Sequence, residues 1–348
     1  EGTPSVVRLD GDTVAALLAD PVGLIDRTGS SIDSADIESL RILSADGTLS
    51  NGGTVAFYSP TGILVGNSAV FDVGQLLLTT LDPDLDSFES FAAGGVLQLA
   101  GPAGTTSAVD IRSGAQITAT GENSFFSVVA PQVIMRGDAY INGSTAYVAG
   151  EQVSLSYNNG LFDIQVPVGT TVGTAIRHVG STGGLASTGG ADGHAIYAVA
   201  KGNGNPITML LSGNLGFDAA VTAGVENGEI VLSAGYDVFG TNGFTHGVDE
   251  EALSENIAIV GPTAITSSVN AVATGTFEIN SSAGAIDLDG GLSVRAAREA
   301  ALIARNENSI SITGDVSLAS AGTIEADGDV VGGVVRLVAR DASTLSIG

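Results

Sequence analysis

Short apolar runs recur along this chain, some alternating with polar residues and some unbroken, each bounded by Gly, Asn, Asp or Ser. Residues 96–100, 116–119, 132–135 and 146–149 are typical. Runs of this length and bounding read as strands of about four to six residues. Helical spacing is confined to 13–19 and 296–305, with at most a turn or two at 250–256. The pattern predicts a chain that is nearly all β.

A longer period lies over the strands. A glycine followed, six positions on, by alanine, with apolar positions between, appears at Gly143 to Ala149, Gly228 to Ala234, Gly291 to Ala297 and Gly333 to Ala339. The successive intervals between these glycines are near four, three and two times a repeat of about 21 residues, a length that suits a β-solenoid. In such a fold each coil stacks on the next at about 4.8 Å, and glycine supplies the sharp corners. The rival all-β reading is a set of tandem sandwiches, in which Asn142-Gly143 and Asn227-Gly228 would be hairpin turns. Sandwiches do not require a shared multiple, so the expected fold is a parallel β-solenoid of about 21 residues per coil.

Composition narrows the function. The absence of cysteine excludes disulfides, Cys-ligated metal sites and a thiol nucleophile, and leaves the redox compartment open. Acidic residues outnumber basic ones 38 to 12, for a formal charge of −26, and Lys201 is the only lysine. Phosphate recognition needs clustered Lys and Arg, whereas the arginines are scattered singly in sequence, so nucleic acid is not an expected partner. The most apolar stretch, 63–81, is interrupted by Gly66, Asn67, Asp72 and Gln75, so no membrane span is expected. No basic-then-apolar leader opens the sequence, which reads as a mature product, a recombinant piece or a chain not secreted by that route.

Two blocks carry a family resemblance. The first runs from Phe57 through Ser59-Pro60-Thr61-Gly62-Ile63 and Gly66-Asn67 to Phe71, Val73-Gly74 and Leu76 to Leu81. The second is Ser124 to Val133 with Ala130-Pro131, followed by Arg136-Gly137 and the Gly143 to Val153 strand. Together they resemble the secretion domain of filamentous-haemagglutinin-type exoproteins of two-partner secretion, over roughly residues 5–165. The family turn is Asn-Pro-Asn-Gly, and here Ser59 and Thr61 stand at the Asn positions. The resemblance implies a right-handed parallel β-helix. It also implies secretion from, or display on, a Gram-negative bacterium through an outer-membrane β-barrel transporter that reads the region while unfolded. The secretion-motif residues it implies are Ser59, Pro60, Thr61, Gly62, Ile63, Gly66, Asn67, Val73 and Gly74.

The expected organisation is a secretion-like part at 1–165, a continuation at 166–276 with an exposed glycine-rich loop at 180–193, and a regular rod at 277–348 that continues beyond the chain. The expected role is a fibrous adhesin or filament-forming exoprotein, not an enzyme, engaging a host, cell or matrix surface or copies of itself. The alternative is a polysaccharide-acting enzyme on the same scaffold. Its carboxylates would be Asp287 with Asp289, or Glu325, Asp327 and Asp329, which share strand faces about 7 Å apart. Calcium is the one ion such faces suit, but the Gly-Gly-x-Gly-x-Asp nonapeptide that would mark a calcium site is missing, and no cofactor is expected. His178, His194 and His246 are well separated in sequence, so metal ligation would need the fold to bring them together. Gly193-His194 matches part of a polygalacturonase signature whose companion motifs are absent.

Overall fold

The computed structural model describes residues 22–26, 39–41, 54–83, 87, 90–91, 94–189, 192–225, 227–240, 245–246, 254–321, 323–324, 330–331 and 333–348. The chain is all-β and is dominated by one large parallel sheet. The expected helix at 13–19 lies outside the described residues, as do residues 250–253 of the expected turn, while Asn256 opens a strand. The expected helix at 296–305 is a strand, Glu299–Ala304. Its Ala, Leu, Glu and Arg favour helix intrinsically, but Thr276–Asn280 and Val334–Ala339 hydrogen-bond it in parallel from both sides, and this pairing overrides local preference.

The parallel pairings resolve into three ladders. The first joins Val22–Asp26, Thr54–Tyr58, Gln75–Thr79, residues 124–130 and 143–149, Ala195–Ala200, Glu229–Ala234, Ser268–Ala273, Leu292–Ala296 and Val316–Ser320. The second begins with Ile63–Val65, Ala108–Ile111, Gln132–Met135 and Thr174–His178 and ends with Val334–Ala339. The third runs from Ser39–Arg41 and Val70–Asp72 to Thr344–Ile347. From Thr54 onward the chain visits first, second and third ladder in that fixed order. Gln116–Ala130 and Asp138–Ala149 each turn from the third ladder into the first without a break.

The length of a circuit varies although the register holds. Thr54 pairs with Gln75, Ile257 with Phe277 and Leu292 with Val316, and each of these steps stays close to the expected coil length. Elsewhere an excursion lengthens the step: Thr145 pairs with Ile196, and Ala195 with Glu229. The glycine intervals from 143 to 228 and from 228 to 291 therefore each span two circuits, not four and three. Gly333 opens a strand of the second ladder, whereas the other three glycines of the pattern lead into the first.

Two cores account for the apolar runs. Alternate residues of all three ladders, among them Phe57, Phe126, Tyr147, Leu232, Phe277 and Leu302, share one core. The opposite face of the first ladder, with Leu77, Phe125, Val148, Tyr197 and Val231, packs on a second core. That second core is closed by an antiparallel sheet of Asp82–Pro83, Val96–Ala100, Gln152–Asn158, Leu161–Val168, Val238–Phe239 and Thr245–His246. First-ladder strands under this cover are apolar on both faces, as Ala195–Ala200 is, and they read as unbroken runs. Past the cover, Leu292–Ala296 alternates buried with exposed. The Gln152–Asn158 hairpin turns on Asn159 and Gly160, both at positive φ (51° and 82°), the geometry of a two-residue turn. Asn142-Gly143 is instead a bend inside one long strand.

Candidate functional site

All nine residues of the secretion-like motif fall on a single circuit. Ser59 to Gly62 makes the corner between first and second ladder, where the Gly62 N–H donates to the Ser59 carbonyl at 3.2 Å. Gly62 has φ +131°, a conformation that favours glycine, and the Ser59 and Thr61 hydroxyls lie 3.4 Å apart. The Ser59 N–H donates to the Thr79 carbonyl, which ties the corner to the next circuit. Ile63 faces the core; Gly66 and Asn67 make the following corner, closed by the Ala69 N–H on the Gly66 carbonyl at 3.1 Å. Val73 is buried and, with Gly74, leads back into the first ladder. Thr61 and Asn67 are exposed, whereas Ser59, Ile63 and Val73 are not.

In the second block Phe126 enters the main core and Phe125 the second one, where its ring meets Phe91, Tyr157 and Phe162 at 5.0 to 5.6 Å. Folding also gathers arginines that look solitary in sequence. Arg112 and Arg136, one circuit apart at the end of second-ladder strands, both reach Asp110, at 3.0 and 2.9 Å.

The two histidines whose side chains are described, His178 and His194, do not meet. The His178 side chain is buried where second and third ladder adjoin, its Nδ1 2.8 Å from the Ser212 carbonyl and its Nε2 2.9 Å from Thr182 Oγ1, which lies 2.7 Å from the Tyr147 hydroxyl. One set of hydrogens satisfies the whole chain: Tyr147 donates to Thr182, Thr182 to Nε2, and Nδ1–H to Ser212. Burial accordingly pushes His178 down to about 4, despite the Ser212 bond, and pushes the Tyr147 phenol up. His194 is buried elsewhere, beside Asp192, and of His246 only the strand position is described. Among the described residues no group of three or more His, Cys, Asp or Glu could hold a metal ion.

Asp287 and Asp289 lie exposed on either side of buried Leu288, and Asp289 accepts from the Thr313 hydroxyl at 2.8 Å. Glu325, Asp327 and Asp329 lie outside the described residues. Two acidic residues that the strand pattern does not single out are almost wholly buried, Glu151 and Glu255. Glu151 accepts from the Gly104 N–H at 2.9 Å; Glu255 accepts from the Gly202 N–H and, at 3.0 Å, from the Thr274 hydroxyl. Both sit at corners beside glycines. Glu151 leaves a trace in sequence as a carboxylate adjoining Gly150 next to an apolar run, whereas Glu255, between Ser254 and Asn256, leaves none.

No family model and no curated protein matches the chain.

Proposed function

We propose that the three ladders are the faces of one right-handed parallel β-helix. On this reading the chain is a secreted or surface-displayed fibrous exoprotein, an adhesin or filament former, exported by a two-partner outer-membrane transporter. The observation that carries the reading is the burial of the motif. Ser59, Ile63 and Val73 are closed into the fold, so a partner that recognises them must do so before folding, as export of an unfolded chain requires. The fixed first-second-third order of strands supports the helix, since one chain winding in a single direction generates that order without crossovers. An acidic surface of charge −26 suits a protein that stays soluble once released.

The test is export. The chain, given a periplasmic signal, is produced in a Gram-negative host with and without a two-partner outer-membrane barrel. The reading expects folded protein in the medium only with the barrel, and retention when Ile63 and Val73 are both changed to Asp. Equal release with and without the barrel would overturn it.

A further inference from the structure

One histidine ring ties down the glycine-rich segment of residues 185–189 and 192–194. His194 Nδ1 lies 2.7 Å from the Leu185 carbonyl oxygen, and Nε2 lies 2.9 Å from Asp192 Oδ1. A carbonyl oxygen only accepts, so Nδ1 carries a hydrogen. Asp192 Oδ2 accepts from the Thr188 N–H at 2.8 Å and from the Thr188 hydroxyl at 2.6 Å. Burial raises the Asp192 carboxyl, but the Thr188 bonds and His194 outweigh it and leave the group below its ordinary range. An ionised carboxylate leaves Nε2 no role but donor. With hydrogens on both nitrogens the ring is a cation.

We propose that His194 and Asp192 form a proton-dependent latch, closed over this segment while the ring is an imidazolium and released when it loses a proton. Neutral imidazole would set a ring lone pair against either the Leu185 oxygen or the carboxylate, and one of the two contacts must break. The His194 side chain has no exposure and that of Asp192 only 5%, so water replaces the lost partner only if the segment opens.

Among the described residues the surroundings supply no second cation. Phe217 lies 5.7 Å from the ring. The Tyr157 phenol, on the antiparallel sheet, is raised by burial first and by the Asp192 charge last, and stays protonated. Glu229 opens the next first-ladder strand and donates its N–H to the His194 carbonyl at 3.4 Å. Opening reaches further than the segment, because the Gly193 N–H donates to Asn159 at the hairpin tip at 3.0 Å.

Ring nitrogen NMR shifts and amide exchange, corrected for intrinsic rates, test the latch at about pH 6 and about pH 9. The expected result is two protonated His194 nitrogens at the lower pH, and exchange at residues 187–189 and 192–194 at least about tenfold faster at the higher pH while the ladders stay protected. Asp192→Asn, which keeps the shape, should exchange at similar rates at both pH values. A neutral His194 ring at about pH 6, or unchanged exchange between the two pH values, would overturn the proposal.

Discussion

Because burial holds the His178 ring neutral despite its bond to the Ser212 carbonyl, acid acts on the molecule at that point. Its folded value of about 4 lies below the ordinary 6.5, so the unfolded chain binds the extra proton first as pH falls. Stability from this group is complete above about pH 6.5, declines through the window to about 4 and then levels, a loss of about 3 kcal/mol at the rate of about 1.4 kcal/mol per pH unit. Urea unfolding near the two ends of that window should show this decline, and His178→Gln should lessen it. Phe125, at the centre of an aromatic cluster, is the complementary residue. Phe125→Ala removes a fully enclosed ring and should cost about 3–5 kcal/mol, read from the urea midpoint at constant pH.

Among elements, the hairpin of Gln152–Asn158 and Leu161–Val168 is the most sensitive to a single atom. Gly160 has φ +82°, and a Cβ there would lie 2.1 Å from the Gly193 carbonyl oxygen. Gly160→Ala should therefore destabilise by more than the roughly 1 kcal/mol of an ordinary left-handed glycine, with thermal unfolding as the measure. This hairpin also marks where sequence stops being informative. The strands themselves were legible, since 132–135 and 146–149 fall within observed strands. The antiparallel sheet was not, because Val96–Ala100 and Gln152–Asn158 alternate much as the parallel strands do, and no local signal says which partner a strand takes. Unbroken apolar runs such as Ala195–Ala200 carried the clue, for a strand apolar on both faces needs cover on both.

At the scale of the molecule, the parallel stacking was legible and its period only partly so. Steps such as Thr54 to Gln75 and Ile257 to Phe277 match the repeat expected from the glycines. Lengthened steps, among them Thr145 to Ile196, Ala195 to Glu229 and Glu229 to Ser268, happen to bring the first two glycine intervals close to multiples of that repeat, which is why the glycine spacing overstated the number of coils. Of the candidate residues, the secretion-like group is close together in sequence and falls on one circuit, whereas the Arg112, Asp110 and Arg136 cluster arises only from stacking strands distant in sequence. The last strands of the second and third ladders leave Val335, Leu337 and Ile347 exposed at 47, 54 and 45%. If the chain forms filaments as proposed, sedimentation velocity should show mass rising with concentration.

A circuit that can more than double in length with its pairing intact gives the molecule a use beyond its own biology. Val221, wholly exposed, marks a corner where foreign peptides could be grafted, since lengthening a loop costs only about 0.6 kcal/mol per doubling. Epitopes spliced there would be held at fixed spacing on a rigid support, which makes the chain a natural starting point for an antigen-display scaffold.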